Sequence, residues 1–129
     1  MLSDPLPRVL CVDDDEDARE MLSELLKFSL IETRAVGTAA QALSLIQTER
    51  FDLYLLDSWL PDLDGVELCR QVRVLDPHTP VLFYSGAAYD DDKKRAIEAG
   101  ANAYVTKPDI DGLVGSVTGL VSLAKCVTA

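Results

Sequence analysis

The sequence is short of cysteine, of positive charge and of long apolar runs, and each shortage excludes a class of protein. Its three cysteines, Cys11, Cys69 and Cys126, show neither Cys-x-x-Cys spacing nor a nearby histidine partner. We therefore expect reduced thiols rather than disulfides or a zinc site. The 12 basic residues are outnumbered by 22 acidic ones, and the formal net charge of −10 argues against direct binding of nucleic acid.

Nothing in the sequence predicts export or attachment to a membrane. Residues 1–7 lack the basic and apolar regions of a signal peptide. No apolar run is long enough to span a bilayer. We therefore expect a cytoplasmic protein, and its 129 residues, 48% of them hydrophobic, are enough for one domain with a real core.

Short apolar runs alternate with amphipathic segments along the chain. Five runs predict buried strands, at residues 9–12, 30–36, 53–56, 81–84 and 103–106. Five further segments predict helices, at residues 18–26, 39–46, 64–75, 90–99 and 109–126. Such alternation is typical of a parallel sheet with helices on both faces. We expect a single α/β domain over residues 1–129, with its core at about 8–126.

Polar side chains follow four of the predicted strands, at ends that a parallel sheet gathers on one edge. They are Asp13 and Asp14, Asp57, Ser85 and Lys107. Ligands of such sheets bind outside the carboxyl ends of the strands. Crowded carboxylates repel one another unless a cation compensates them, and Mg²⁺ prefers oxygen ligands of this kind. A metal, a lysine, a hydroxyl and a free carboxylate together form a phosphoryl-transfer site.

The order and spacing of four segments resemble the receiver domain of two-component response regulators. The segments are V-L-C-V-D-D-D, D-L-Y-L-L-D-S-W-L-P-D-L-D-G, Y-S-G-A and A-Y-V-T-K-P, and the resemblance runs over residues 8–120. It implies a doubly wound, flavodoxin-like (βα)5 fold with five parallel strands in the order 2-1-3-4-5. It also implies a signalling protein rather than an enzyme, limited to self-phosphorylation from a phospho-donor and slow self-dephosphorylation.

The resemblance assigns the phosphoacceptor and metal-binding roles. Asp57 takes the phosphoryl group from a phosphohistidine of a histidine kinase or a histidine phosphotransfer protein. Asp14, Asp57 and the backbone carbonyl of Trp59 bind Mg²⁺, or Mn²⁺ in its place, and Asp13 supports the metal through water.

The resemblance also assigns the switch. Lys107 pairs with Asp57 and then with the phosphoryl group, beside a cis bond to Pro108. Ser85 is the switch hydroxyl, and Tyr104 is the aromatic that turns inward when Ser85 moves. The surface of the fourth helix, fifth strand and fifth helix then changes toward an output partner, or toward a second copy in a phosphorylation-dependent homodimer.

Several positions depart from the usual pattern of the family or vary within it. Trp59 is bulky and, with Ala87, flanks the approach of a hydrolytic water without offering a polar group, which is why we expect slow self-dephosphorylation. Asp109 follows Pro108, where an apolar residue is common, and Asp15 is expected to cap the first helix. Glycines 112, 115 and 119 weaken the last helix by about 0.5–1 kcal/mol each, so it either frays or packs closely on a partner.

Three other functions remain open on the sequence alone. Asp13 to Asp15 after a strand faintly resembles the Asp-x-Asp motif of haloacid-dehalogenase phosphatases. Asp13, Asp15, Asp17 and Glu24 have the ligand spacing of a calcium-binding EF-hand, although Ala18 replaces the glycine of the turn. The third alternative is a pseudo-receiver that binds partners without phosphorylation.

Overall fold

The computed structural model describes the backbone of residues 6–87 and 89–128, and side chains in these ranges up to residue 122. The strands are β1 (Arg8–Val12), β2 (Glu32–Val36), β3 (Leu53–Leu56), β4 (Val81–Ser85) and β5 (Ala103–Thr106). The helices are α1 (Glu16–Lys27), α2 (Ala39–Ile46), α3 (Gly65–Leu75), α4 (Asp90–Glu98) and α5 (Ile110–Thr128). Cys11 and Cys69 are buried free thiols, whereas the Cys126 side chain lies outside the described residues.

The five strands form one sheet in the order β2-β1-β3-β4-β5, and every neighbouring pair is parallel. This order confirms the predicted doubly wound α/β fold. Among the described helices, none is long and apolar enough to cross a membrane.

Side chains of the strands alternate between two cores, one on each face of the sheet. Leu10, Tyr54 and Leu56 pack with residues of α2, α3 and α4. Val9, Leu53 and Leu55 pack with the opposite core, which α1 and α5 supply through Leu22, Leu26, Leu113, Val117 and Val121. Because helices cover both faces, polar groups of the central strands reach solvent at the strand ends.

The predicted second strand began two residues too early. Leu30 has a φ of 59°, and its N–H donates to the carbonyl of Lys27 while that of Ile31 donates to Leu26. Residues 29–31 therefore close the end of α1, and β2 begins only at Glu32. The apolar residues Leu30 and Ile31 in this turn led the sequence pattern to predict a longer strand.

The helix starts follow the predicted capping residues, with one half of each capping box missing. Asp15, Thr38 and Asp64 each accept a hydrogen bond from an N–H in the first turn of α1, α2 and α3. Gln41 accepts from the Gly37 N–H and from the Thr38 hydroxyl rather than from the Thr38 N–H, and Glu67 contacts Arg70. The unusual Asp109 caps α5 by accepting from the Gly112 N–H at 2.9 Å.

Candidate functional site

Three carboxylates meet at the carboxyl edge of the sheet. β1 and β3 are neighbours with Val12 paired to Leu56, so the residues that follow them, Asp13 and Asp57, lie side by side. Asp13 and Asp57 are buried, Asp14 is exposed, and ligand oxygens of the three lie within 4.8 Å of one another. The parallel register therefore produces the acidic cluster that the sequence predicted.

Lys107 is the cation that opposes this cluster. Its Nζ lies 2.9 Å from Asp13 Oδ2 and 3.4 Å from Asp57 Oδ2, and its backbone N–H donates to the Ser85 carbonyl. The peptide bond to Pro108 is cis, as expected. The expected pair with Asp57 is thus the longer of two contacts, because the ammonium bridges two buried carboxylates and lies nearer to Asp13.

Burial and charge oppose each other at Asp57. Burial raises the pKa of Asp57 and the charge of Asp13 adds to the shift, while Lys107 and the Ser58 N–H act against it. Burial lowers the pKa of Lys107, but the hydrogen bond to Asp13 and the two carboxylate charges outweigh burial and raise it. The lysine therefore stays cationic and favours the ionised form of Asp57.

The backbone around Asp57 is closely fitted. One oxygen of Asp57 accepts from the Ser58 N–H at 2.7 Å, and the other faces Lys107 at 3.4 Å. Gly65, the first residue of α3, has no Cβ, and a Cβ there would overlap the Asp57 carbonyl oxygen. Glycine is therefore required for α3 to start this close to β3.

Ser85 and Tyr104 are connected through the backbone of Ala87. Ser85 is fully buried, and its Oγ accepts from the Ala87 N–H at 3.1 Å. The Tyr104 ring stacks on Phe83 at 5.7 Å, and its hydroxyl donates to the Ala87 carbonyl at 2.6 Å and lies 3.4 Å from Ser58 Oγ. A movement of the segment after Ser85 would therefore change the hydrogen bond between Ala87 and Tyr104.

Trp59 occupies the rim of the site. Its side chain is 67% exposed and lines a shallow cleft with Gly86, Ala87, Tyr89 and Asp92. Its backbone pairs with Asp64 in an isolated antiparallel bridge. The indole thus borders the loop after β4 while its backbone belongs to the loop after β3.

The donor set fits a hard divalent cation. The three clustered side chains all offer carboxylate oxygens, and their ligand atoms are close enough for one ion to reach. Mg²⁺ takes such oxygens, with backbone carbonyls and water completing its shell. The EF-hand alternative is wrong, because Asp17 and Glu24 lie within α1 rather than in a loop around an ion.

Two residues that hold the loops around the acidic cluster were not predicted from the sequence. The Arg19 guanidinium donates to the Asp13 carbonyl at 2.8 Å, and the Asp62 carboxylate accepts from the first turn of α2. An arginine on a helix and an aspartate in a turn carry no local signal of such contacts. Each becomes visible only when the loops are packed together.

Comparison with known proteins gives a consistent result. A sequence model described as the response regulator receiver domain matches residues 9–118. The DNA-binding response regulator MtrA of Mycolicibacterium smegmatis is 37% identical over 101 residues, which are 78% of this chain and 44% of MtrA. The chain thus spans less than half the length of that curated relative.

Solved structures resemble the chain over nearly its whole length. The receiver domain of the Francisella response regulator 1452 superposes with a TM-score of 0.85 at 31% identity, covering 90% of this chain and 97% of that one. A CheY-like response regulator receiver domain protein from Methanospirillum hungatei JF-1 gives a TM-score of 0.87 at 30% identity, covering 93% and 97%.

Proposed function

The chain belongs to the response regulator receiver domain family, and from this premise we propose that Asp57 is the residue that receives its phosphoryl group. Members of the family are signalling proteins that take phosphoryl groups from histidine kinases and act on output partners. The donor of this chain is then a phosphohistidine of a histidine kinase or of a histidine phosphotransfer protein. The chain serves as a single receiver domain over residues 1–129 and works in the cytoplasm.

The observation that carries the proposal is the position of Lys107 between two buried carboxylates, 3.4 Å from Asp57 Oδ2. Oδ2 attacks the phosphorus, an O–P bond forms, and the N–P bond of the donor breaks with its electron pair leaving on the imidazole nitrogen. The Ser58 N–H holds the other oxygen, so Oδ2 is oriented for attack. Lys107 then faces the new phosphoryl oxygens and neutralises part of their charge.

Asp14, Asp57 and the Trp59 carbonyl are the proposed direct ligands of Mg²⁺, with Asp13 acting through water. The bound ion supplies positive charge toward the phosphoryl oxygens. Mn²⁺ accepts the same oxygen ligands and serves as a substitute. Crowding of the carboxylates, whose ligand oxygens lie within 4.8 Å of one another, supports this assignment.

The switch runs from Ser85 to Tyr104. A new phosphoryl oxygen offers the Ser85 hydroxyl a charged partner, and any shift of the Ala87 backbone breaks or moves the bond that holds Tyr104. Phosphorylation thereby biases a two-state arrangement of the α4, β5 and α5 surface. That surface contacts an output partner or a second phosphorylated copy. Turnover of a separate substrate and direct contact with nucleic acid are not part of this function.

Intact-mass spectrometry after treatment with acetyl phosphate tests the phosphoacceptor. We expect wild type to gain one phosphoryl group with Mg²⁺ and to stay unlabelled with EDTA. Asp57→Asn should not be labelled, and Lys107→Ala should be labelled far more slowly. Asp91→Asn, an exposed carboxylate at the start of α4, is the matched control and should behave as wild type.

The same experiment separates the alternatives. Labelling of Asp57→Asn at the wild-type rate would refute the assignment of Asp57. Wild type that is never labelled would favour the pseudo-receiver, and steady hydrolysis of a phosphate ester such as p-nitrophenyl phosphate would favour the phosphatase.

A further inference from the structure

The segment from Asp57 to α3 is a closed loop whose ends lie side by side. The Ser58 carbonyl accepts from the Gly65 N–H at 3.0 Å, and Trp59 pairs with Asp64. Leu60 and Leu63 pack partly against the core. The base of this loop is therefore well held, while its tip is exposed at residues 61 and 62.

Asp62 fastens that tip to another part of the molecule. One of its carboxylate oxygens accepts from the Ala39 N–H and the other from the Ala40 N–H, both at 3.0 Å. These N–H groups belong to the first turn of α2, where a helix has no acceptors of its own. The two hydrogen bonds lower the pKa of Asp62, so the carboxylate stays ionised and keeps both bonds.

The sheet order gives this contact its significance. α2 follows β2, the loop follows β3, and β1 lies between these two strands. The Asp62 carboxylate thus joins the connection after β2 to the connection after β3. These two connections flank the end of β1, which Asp13 and Asp14 follow. The two connections on either side of the acidic cluster are tied together by one side chain.

We propose that Asp62 is a positioning residue for the metal site, holding the loop so that the Trp59 carbonyl is in place before an ion arrives. This inference rests on the proposed function, in which that carbonyl is a ligand. Trp59 lies three residues from Asp62, and because its side chain is 67% exposed, the position of its carbonyl depends on the backbone of the loop. Fixing the loop in advance spares the ion the entropy cost of ordering it.

The test is the dissociation constant for Mg²⁺ alone, measured by calorimetry and by fluorescence of Trp59, the single tryptophan. We expect Asp62→Ala to weaken binding by about 3–10-fold, at or below the lower limit of the roughly 10–100-fold losses seen when groups behind metal ligands are removed. Asp62→Asn keeps one acceptor oxygen without the charge, so its affinity should fall between those of wild type and Asp62→Ala.

Thr38→Ala is the matched control. Thr38 Oγ caps the same helix through the Gln41 N–H at 3.2 Å, but it has no hydrogen bond to the loop. Both alanine variants should lower the melting temperature of the metal-free protein, because each removes a cap of α2. Only Asp62→Ala should change the affinity for Mg²⁺.

Three outcomes would overturn the positioning role. They are an Asp62→Ala affinity within about twofold of wild type, an equal loss in Thr38→Ala, or an Asp62→Asn affinity no better than that of Asp62→Ala, which would assign the effect to charge. Failure of wild type to bind Mg²⁺ would instead contradict the metal site itself.

Discussion

At the scale of single residues, Asp76 shows how one carboxylate organises a connection outside the proposed phosphorylation site. One of its oxygens accepts from the N–H groups of His78 and Thr79, and the other from the hydroxyls of Thr79 and Tyr54. Tyr54 is a buried residue of β3, so Asp76 ties the segment after α3 to the sheet. Burial raises the pKa of Asp76, but these hydrogen bonds outweigh it and lower the pKa to about 2.

Stability should therefore depend on pH through Asp76. A carboxylate with a depressed folded-state pKa stabilises the fold above its unfolded pKa of about 3.9, and that contribution disappears as the pH falls toward 2. We expect Asp76→Asn to lower the free energy of unfolding by about 1–2 kcal/mol at pH 7, allowing for solvent screening. The difference from wild type should shrink when urea unfolding is repeated near pH 3.

Tyr54→Phe is the companion variant for this measurement. It removes one donor to Asp76 but leaves the ionisable group, so it should lose part of the stability and retain part of the pH dependence. A difference between wild type and Asp76→Asn that is the same at both pH values would refute the role of the charge.

At the scale of the element, α5 is one continuous helix despite its three glycines. Gly115 and Gly119 are exposed, and a Cβ at either position would meet no other atom within 4 Å. At Gly112 a Cβ would overlap the carboxylate of Asp109, the capping residue. The glycines at 115 and 119 therefore weaken the helix without improving its packing against the described parts of the chain.

Replacing these glycines by alanine should distinguish the open positions, 115 and 119, from the crowded position 112. Gly115→Ala and Gly119→Ala should each raise the free energy of unfolding by about 0.5–1 kcal/mol, because alanine restricts the unfolded chain and favours helix. Gly112→Ala should show no such gain, since the cap must shift to admit the methyl group. Thermal and urea unfolding of the three variants provide the test, and a loss of stability at 115 and 119 would contradict the open surroundings.

At the scale of the whole molecule, an excess of negative charge lies beside the site that we propose for an anionic phospho-donor. The chain carries a formal net charge of −10, and α1, which starts directly after the acidic cluster, exposes Glu16, Asp17, Glu20 and Glu24. These charges repel a free phosphate donor over distances comparable with the Debye length. A protein donor with a basic surface would be attracted by the same field.

Labelling by acetyl phosphate at saturating Mg²⁺ should therefore accelerate with ionic strength. Between about 0.01 and about 0.15 M salt the Debye length falls from about 30 Å to about 8 Å, and we expect the second-order rate constant to rise severalfold. The double variant Glu20→Gln/Glu24→Gln should be faster than wild type at low salt and less sensitive to added salt. Equal salt dependence in both proteins would show that α1 does not contribute to the repulsion.

The sequence by itself determined the order of the elements and the place of the acidic edge. Apolar runs of strand length alternate with helical stripes, and a parallel sheet covered by helices on both faces buries both. Because Asp13, Asp57 and Lys107 directly follow three strands of that sheet, their convergence was predictable from their positions alone. Capping residues such as Asp15 and Asp64 were also predictable, since a cap depends on neighbours within one turn.

Only the tertiary structure decided how these groups are paired. Lys107 lies nearer to Asp13 than to Asp57, Tyr104 bonds to the Ala87 backbone, and Asp62 reaches a helix 23 residues away. Such contacts follow from the packing of loops whose residues have no periodicity and no fixed distance along the chain. Local chemistry therefore specifies which groups arrive at the edge of the sheet, and the meeting of distant loops specifies which partner each one takes.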